Sequence, residues 1–560
     1  MSEPSEGPAH PAPSARRWVN LGVLCLALLV VTLDNTILNV VLPALVRQLH
    51  ATTSQLQWVT DAYVLVFAGL LLVAGSLADR FGRKRTFLAG LVFFLAGSTW
   101  AALAGSIGAL IAARASMGIG AALISPSTLS IIGNMFPDSR ERHRAFGIWA
   151  ATSGVGLALG PIVGGLLLAH FWWGSVFLVN VPIVVLALLL SVPLLPDSKD
   201  PVARPPDLVG SGLSIAGLTM TLWAVIEAPG RGWTSAPVLG VGAGGLAVLG
   251  GFVYWEHVAS RPMLTLGYFR NSRFSAGIAA LAFVMLGGSG ALFVLTQYLQ
   301  LYRGYSALAA GVRVLPAAGA IVVVAPLVAP VVRRVGPKIP LAVGLAAVTA
   351  GLWQLAGIGA GTSYPAQLPY FAMLGVGMGL VMPTATSAIM DTLPPARAGV
   401  GSATNSTFMQ FGTALGVAIM GSLLSSRYVN RLDLRPYHLP PAVRDQAQGS
   451  LGGAAALAPH LGPVGGALLT AARAAFLSGF GLSLKAGAGV VLAAVLVVLV
   501  AFSSRNAKRR PAQPTPATGS PAAGSQAAGS PAAGSPAASS PAAPAGPAAA
   551  GPQPGESASL

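Results

Sequence analysis

The sequence has little charge and almost no cysteine. Asp, Glu, Lys and Arg together make up 9% of its 560 residues, and Cys25 is the single cysteine. One cysteine cannot form a disulfide within the chain or a thiolate metal cluster. The sequence also has no phosphate-binding glycine-rich loop, no His/Cys metal cluster and no nucleophile elbow. These absences argue against an enzyme, a cofactor, a metal site and an ATP-driven pump within one chain.

Apolar residues are abundant. They make up 54% of the chain, and the mean hydropathy is +0.70. This composition is typical of helical membrane proteins with several spans. The net charge of +17 would also suit a nucleic-acid partner. However, the basic residues lie in short stretches between apolar runs, where they set membrane topology. We therefore expect a monomer in the lipid bilayer, without a nucleic-acid partner.

Fourteen apolar windows are long enough for a membrane helix. They lie at 18–42, 56–78, 86–104, 107–133, 143–168, 172–195, 209–227, 237–257, 273–302, 309–332, 338–357, 367–390, 401–424 and 483–503. Lys and Arg are concentrated in the segments that would share one side of the membrane with the N-terminus. Since cytoplasmic loops carry the excess of Lys and Arg, both termini are predicted to be cytoplasmic. The bias toward Ala, Gly, Pro and Arg suggests a bacterial source, so the predicted location is a bacterial plasma membrane.

An internal repeat relates the two parts of the chain. The run 117–120 followed by Pro126 recurs as 374–377 followed by Pro383, an offset of 257 positions. Repeated helix bundles with a substrate site between them are typical of transporters. The predicted organisation is an all-α membrane protein of two six-helix bundles with an inserted helix pair. Its parts are a cytoplasmic tail 1–17, a bundle 18–195, an inserted pair with linkers 196–272 (helices 209–227 and 237–257), a bundle 273–503 with an outer loop 425–482, and a disordered low-complexity tail 504–560.

Asp34 is an acidic residue far inside the first window. At 1.5 Å per residue it lies roughly 24 Å into a bilayer core about 30 Å thick. A carboxylate there costs several kcal/mol unless it is protonated, paired or facing water. It could be hydrogen-bonded to a neighbouring helix purely for packing. The nearby Asn35 and Asn39 favour a proton site that faces a wet cavity.

Two further ionisable residues lie inside predicted helices. Arg114, in the fourth window, needs an acceptor, and carboxylates on neighbouring helices are candidates. Paired in this way it could tune the release of a proton; alternatively it extends toward the membrane surface. Asp61, in the second window, could be a second proton or cation site, or a polar group at the outer interface. Asp34, Asp61 and Arg114 are the predicted proton-coupling residues.

A glycine-rich charged loop follows the second window, at 75–85. Glycine there permits close helix approach and a tight turn. Asp79 could pair with Arg83 as a charge latch that breaks and re-forms. A solvated basic loop would account for the arginines but not for the Gly/Asp pattern. The predicted gating residues are Gly75, Asp79, Arg80, Gly82 and Arg83.

The loop 75–85 resembles the signature loop of the major facilitator superfamily. Residues 33–43 resemble the first-helix motif of its fourteen-helix drug:proton antiporter branch, and 299–311 also resembles that branch. Residues 154–165 are similar to the antiporter motif of the fifth helix. In that motif Gly156, Gly160, Pro161, Gly164 and Gly165 stand out, and the spacing of the first three glycines by fours would also suit ordinary close helix packing. The resemblance implies export of drug-like molecules coupled to proton entry.

Aromatic side chains could line a cavity for flat lipophilic ligands, although each of them on its own is more often a contact with lipid or with the core. The candidates are Trp58, Tyr63, Phe67, Trp149, Tyr298 and Phe408, joined by Asn35 and Asn39. We expect small lipophilic substrates, cations among them, exchanged for protons. One alternative is the export of a single metabolite, such as a self-made antibiotic or an amino acid. Another is a membrane receptor or scaffold without transport, which the ionisable residues inside the membrane disfavour.

Overall fold

The computed structural model describes residues 14–198, 207–259, 262, 266–359, 361–393 and 398–502. Most of the predicted tail 1–17 and the whole predicted tail 504–560 fall outside this part of the chain, except for the first residues of α1. Helices form the regular structure of the described residues, and no strand occurs among them. The prediction of an all-α membrane protein is confirmed.

Eighteen α-helices are described. They are α1 (Ser14–Leu49), α2 (Thr53–Phe81), α3 (Arg83–Ala102), α4 (Ile107–Met135), α5 (Ser139–His170), α6 (Ser175–Leu178), α7 (Asn180–Leu194), α8 (Leu208–Arg231), α9 (Ala236–Val258), α10 (Ser272–Gln297), α11 (Ala307–Val324), α12 (Val328–Val335), α13 (Lys338–Ala356), α14 (Tyr364–Met390), α15 (Ala398–Arg431), α16 (Pro441–Gly449), α17 (Leu451–Leu457) and α18 (Pro463–Ala501). A π-helical turn, Tyr298–Tyr302, extends α10.

Thirteen helical segments of the described residues are long and apolar enough to cross a membrane. The short α6 and α7 count as one of these segments, Ser175–Leu194, and so do α11 and α12, Ala307–Val335. Helix α2 covers the remaining predicted window, 56–78, but is not among the thirteen. The exact count of fourteen is therefore not confirmed.

Side-chain caps define where several helices begin. Thr52 and Gln55 form a capping box at the start of α2. Ser106 and Ser306 each accept a hydrogen bond from a backbone amide in the first turn of α4 and α11. Such caps satisfy amide groups that the helix leaves without partners. They fix the first residues of α2, α4 and α11 after the short connections α1–α2, α3–α4 and α10–α11.

The sequence repeat has a structural counterpart in the packing of α4 and α14. Helix α4 packs against α2 and α3, and α14 packs against α11 and α13. A Cβ atom at Gly118 would overlap the backbone of α2, and one at Gly375 would overlap that of α11. In the same way Gly120 adjoins α3 and Gly377 adjoins α13. The repeated glycines therefore let one helix in each half approach two neighbours closely.

The inserted helices α8 and α9 pack against each other, and α8 also contacts α2 and α15. Ser211 of α8 donates a hydrogen bond to the carbonyl oxygen of Gly69 in α2 (2.7 Å). Most of the surface of α9 is exposed, which suits a helix that faces lipid.

Much of the predicted outer segment 425–482 is helical. Helix α15 continues to Arg431 and α18 begins at Pro463, twenty residues before the predicted window. The run after Pro463 is rich in alanine, the best helix former, and proline suits the first turn of a helix. Its glycines and Arg473 had broken the apolar run in the sequence. The connection between α15 and α18 is therefore shorter and contains α16 and α17.

The two halves contact each other at the end of the bundle where the α1–α2 connection lies. We call this end the closed end. Gln57 of α2 donates to the carbonyl oxygens of Val417 (3.1 Å) and Ala418 (2.8 Å) in α15. Gln300 in the π-helical turn donates to the carbonyl oxygen of Val40 in α1 (2.9 Å). Buried amide side chains that bond to backbone carbonyls hold helices from the two halves together.

Candidate functional site

Asp34 and Arg114 form an ion pair in the interior of the first half. Nη1 of Arg114 lies 2.5 Å from Oδ2 of Asp34. The side chains are 0% and 1% exposed, so Arg114 does not extend to the membrane surface. A buried pair of this kind is costly to break, because the charge that remains has no compensation. Protonation of Asp34 would therefore weaken the contact between α1 and α4.

Arg114 also reaches α2. Its Nε donates to the carbonyl oxygen of Val59 (3.2 Å), and its guanidinium carbon lies 4.4 Å from the centre of the Tyr63 ring. A cation over an aromatic face is attracted by the ring electrons. Arg114 thus joins α1, α2 and α4 through one side chain.

The second oxygen of Asp34 contacts a residue that the sequence analysis missed. Asn180, the first residue of α7, donates from Nδ2 to Oδ1 of Asp34 (3.1 Å) and to Oγ of Ser98 in α3 (3.1 Å). Ser98 in turn donates to the carbonyl oxygen of Phe177 (2.8 Å). Both residues are polar positions inside apolar windows, and that signal alone could have marked them as candidates.

Asp61 is buried in different surroundings. The residue is 0% exposed, and neither carboxyl oxygen has a hydrogen-bond partner among the described residues. A buried carboxylate without partners is strongly disfavoured, whereas the protonated acid carries no charge. In this conformation Asp61 is thus suited to hold a proton, while Asp34 is suited to remain charged beside Arg114. Asp61 is not exposed at the surface of the protein.

The glycines of the antiporter-like motif pack against α1 and α11. Cβ atoms at Gly156 and Gly160 would overlap the side chains of Thr32 and Thr36. The hydroxyl of Thr36 donates to the carbonyl oxygen of Gly156 (3.3 Å). Gly164 faces α1 as well, next to Ile37. This face of α5 therefore brings the backbone of α1 close, one turn from the Asp34 carboxyl.

The other two residues of this motif belong to the closed end. A Cβ atom at Gly165 would overlap the backbone of Leu308 at the start of α11. The carbonyl oxygen of Pro161 occupies the space where a side chain on Gly311 would lie. One end of α5 thus contacts the second half, and its glycine face contacts α1.

The loop between α2 and α3 is only partly described. Gly82 ends α2 and starts α3 with φ of 105°, a conformation that favours glycine, so it makes a tight turn. A Cβ atom at Gly75 would meet nothing within 4 Å, so the expected close helix approach at that residue is not seen. Arg80 is exposed and lies over the Phe81 ring. The side chain of Asp79 lies outside the described residues, and its latch with Arg83 stays a prediction.

The predicted cavity residues divide by exposure. Trp58, Trp149 and Phe408 are partly exposed, as are Asn35 and Asn39, whereas Phe67 is 8% exposed. Tyr63 and Tyr298 have no exposed surface, and the prediction that they line an open cavity does not hold in this conformation. The physical reason is their packing. Tyr63 lies under Arg114, and Tyr298 stacks on Tyr302 and Phe480 with ring centres 5.4 and 4.8 Å apart.

A metal site has no support in the described part of the chain. No three side chains of His, Cys, Asp and Glu come together there. The arrangement that remains is an ion pair, a second buried acid and a set of amide groups. Carboxyl groups are the side chains in this arrangement that can bind and release protons.

Comparison with known proteins gives a family and a fold. The sequence profile of the Major Facilitator Superfamily matches residues 24–417. The chain is 37% identical over 509 residues to the multidrug efflux pump LfrA of Mycolicibacterium smegmatis, covering 90% of this chain and 100% of LfrA. It is 34% identical over 529 residues to the tetracenomycin C resistance and export protein of Streptomyces glaucescens, covering 91% and 97% of the two chains.

A solved structure supports the fold. The crystal structure of a bacterial homologue of the human lysosomal transporter Spinster, inward-facing and unoccupied, aligns with a TM-score of 0.63. The sequences are 18% identical, and the alignment covers 88% of this chain and 98% of that one. At this identity the likeness concerns the fold alone.

Proposed function

Because the chain belongs to the Major Facilitator Superfamily, we propose that it exports drug-like molecules across a bacterial plasma membrane in exchange for protons. The names of its relatives include a multidrug efflux pump and an antibiotic export protein, each matched over nearly its full length. The substrates would be small and lipophilic, with cations among them. The observation that carries the proposal is the buried pair of Asp34 and Arg114, supported by Asp61 without a partner.

The proposed cycle uses the charge of Asp34. A proton that enters from outside neutralises the carboxyl and removes its attraction to Arg114. The two halves then rearrange while α1 and α4 are no longer held together by this ion pair, and the proton leaves toward the more alkaline cytoplasm. The restored ion pair returns α1 and α4 to their starting contact. Drug export is driven if drug and proton favour different arrangements of the halves, since a ligand shifts an equilibrium only by its differential affinity.

In the proposed cycle, the arrangement described here would be one of the states that the protein visits. With both termini in the cytoplasm, the closed end would face outside, and the protein would be closed to the outside with Asp34 paired. Asp61, held without partners, would carry a second proton or receive it from Asp34. Its neutral form is the one that tolerates such surroundings.

Transport by everted membrane vesicles tests the proposal. Vesicles that maintain an acidic interior are given a fluorescent lipophilic cation such as ethidium, and both ethidium uptake and the pH gradient are followed. Wild-type protein should take up ethidium and release protons on its addition. Asp34→Asn should still insert into the membrane and lose both signals. Asp433→Asn, at a carboxyl with 57% exposure in the α15–α18 connection, is the matched control and should behave as wild type. Uphill ethidium transport by Asp34→Asn at wild-type rates would refute the coupling role.

A dedicated exporter of one antibiotic is the second candidate. The chain is 34% identical to the tetracenomycin C resistance and export protein, whose name gives a single compound, and 37% identical to LfrA. Because the two identities are similar, a dedicated exporter is a second candidate. A panel of chemically different drugs separates the two candidates. Export of a single chemical class would favour the dedicated exporter, and export of unrelated lipophilic cations would favour multidrug efflux.

A further inference from the structure

The two oxygens of Asp34 face different kinds of neighbour. Oδ2 faces the guanidinium of Arg114, which has only hydrogen-bond donors. A proton on Oδ2 would therefore point at a donor and find no acceptor. Oδ1 faces Asn180, whose side chain carries both a donor and an acceptor. In the neutral form of Asp34, Oδ1 is thus the oxygen that can carry the proton and donate it in a hydrogen bond.

The amide of Asn180 is only half satisfied. Its Nδ2 donates to Asp34 and to Ser98, whereas its Oδ1 is buried and has no hydrogen-bond partner among the described residues. The residue is 0% exposed. An unpaired acceptor at such a position is costly and needs an explanation. The orientation seen here fits a charged Asp34, which accepts but cannot donate.

We propose that Asn180 is a positioning residue for the proton of Asp34, and that its amide serves the charged and the neutral carboxyl in two orientations. A half-turn about the Cβ–Cγ bond exchanges the positions of Nδ2 and Oδ1. The unpaired oxygen then accepts the O–H of protonated Asp34. The hydroxyl of Ser98, which now donates to Phe177, can turn and donate to the same oxygen. The inference rests on the proposed function, because it needs Asp34 to gain and lose a proton.

Local structure permits this rotation. Asn180 follows the break between α6 and α7 at Val179, and it lies in the first turn of α7. The terminal torsion of an asparagine side chain is broad and roughly two-fold, so either orientation is accessible. The proton stays on Asp34 throughout, and Asn180 exchanges only hydrogen bonds.

Few ionisable groups face this carboxyl. Among the helices packed against α1, α4 brings Arg114 into contact with it, and α2 brings Tyr63, which lies under the same guanidinium. Helix α7 contributes the neutral Asn180. In the described part of α5, α6, α10, α11 and α17, no charged side chain hydrogen-bonds or ion-pairs with Asp34. Arg114 and Asn180 are thus the side chains in direct contact with this carboxyl.

Asn180→Leu tests the proposal, because leucine has a similar size and neither donor nor acceptor. Purified protein in liposomes is given ethidium, and proton release is measured from pH 5 to pH 9. A hydrogen bond to a charged group is worth more than one to a neutral group, so the variant loses more from the charged form. We expect the half-maximal pH of ethidium-induced proton release to rise by roughly half a unit to one unit. The maximal rate should fall several-fold, while the KM for ethidium changes less than two-fold. An unchanged half-maximal pH would overturn the inference.

Asn20→Leu is the matched control. Asn20 lies at the same α1–α7 contact, donates to the carbonyl oxygen of Leu194 (3.0 Å) and is 1% exposed. Its Oδ1 is also buried without a partner. Since it does not touch Asp34, its loss should lower stability and leave the half-maximal pH in place. An equal pH shift in Asn20→Leu would mean that loosening of the interface explains both results, and the inference would fall.

A second variant guards against poor folding of Asn180→Leu. Asn180→Asp keeps the side-chain volume and sets a second carboxyl next to Asp34. Two carboxyls at this distance cannot both ionise easily, so they should retain one proton at neutral pH. We expect ethidium-induced proton release to be lost near pH 7 and to recover by about pH 9. Wild-type behaviour of this variant at pH 7 would contradict the proposed contact.

The variant Asp34→Asn distinguishes this inference from the proposed function. If it still releases protons on ethidium addition, the proposed function fails whatever Asn180 does. If it releases none while Asn180→Leu keeps the wild-type pH profile, the proposed function stands and the role of Asn180 is refuted.

Discussion

Asp34 and Asp61 are two buried carboxyls of the same half with opposite surroundings. Asp34 has an arginine and an asparagine as donors, and Asp61 has no partner among the described residues. Pairs of acids whose environments favour different protonation states are characteristic of sites that move protons. The contrast makes a prediction about stability that is independent of transport.

Asparagine at each position should have a different effect on unfolding. Asp34→Asn leaves the buried Arg114 without a counter-charge, which costs about 3–5 kcal/mol. Asp61→Asn replaces a group that is neutral in this state by another neutral group, so the cost should be below about 1 kcal/mol. Thermal unfolding in detergent at pH 7 measures both. A larger drop in Tm for Asp61→Asn than for Asp34→Asn would show that Asp61 is charged and paired in the folded protein.

The pH dependence of an arginine variant checks the same ion pair. Arg114→Met leaves Asp34 as an unpaired buried carboxylate at neutral pH. The carboxyl can escape this cost by taking up a proton, so the destabilisation should shrink as pH falls from 8 to 5. Unfolding of Arg114→Met and wild type is compared across this range. A constant difference in Tm would indicate that the charge of Asp34 does not determine the loss.

The sequence identified candidate functional residues where the neighbouring residues along the chain were sufficient evidence. An acid, an arginine and a second acid inside apolar windows marked Asp34, Arg114 and Asp61. The roles of Asn180 and Ser98 could not be predicted, because they depend on which helices become neighbours. Tyr63 and Tyr298 were assigned to a cavity because aromatic type alone does not distinguish packing from ligand contact.

At the scale of elements, α5 shows how small residues set the distance between helices. Its glycines face Thr32 and Thr36 of α1, next to the turn that holds Asp34. The four-residue spacing of the glycines is typical of one helix face that packs closely, and in the structure this face packs against α1. The beginning of α18 at Pro463 could not be located from hydropathy, because glycines and Arg473 interrupt the apolar run without interrupting the helix.

Glycine substitutions in α5 should therefore differ by position. A Cβ atom at Gly160 would overlap Thr36, whereas one at Gly154 would meet nothing within 4 Å. We expect Gly160→Ala to lower stability by about 1–3 kcal/mol and to slow ethidium efflux, because α1 must shift. Gly154→Ala should be neutral or slightly stabilising, since alanine is the better helix former. Tm and efflux rates of the two variants provide the comparison. Equal effects would show that α1 does not need this close contact.

At the scale of the whole molecule, the repeated packing of α4 and α14 supports two related halves with an inserted pair. The offset of 257 positions revealed this from sequence, because equivalent glycines perform equivalent packing. The closed end was not predictable, since the state in which two halves meet is a property of tertiary contacts. Its orientation in the membrane follows from the positive-inside rule and remains a prediction.

Cysteine labelling tests that orientation. In a Cys25→Ala background, Arg435→Cys places a thiol at a side chain with 92% exposure between α15 and α18, and Arg334→Cys places one at the exposed end of α12. In intact cells an impermeant maleimide should label the first and spare the second, and everted vesicles should show the reverse. Labelling of both in intact cells would contradict the proposed topology.

The seclusion of Asp34 has a consequence for how such an exporter could adapt. The carboxyl is 0% exposed, and its partners come from α4 and α7 of a single half. If the protein works as proposed, Asp34 and its partners bind the proton without contacting the exported compound. Mutations of substrate-binding residues could then change which compounds are exported and leave the proton-binding residues unchanged. A bacterial lineage exposed to a new toxin could therefore acquire resistance by a few substitutions at the partly exposed aromatic residues Trp58, Trp149 and Phe408, with no change at Asp34 or its partners.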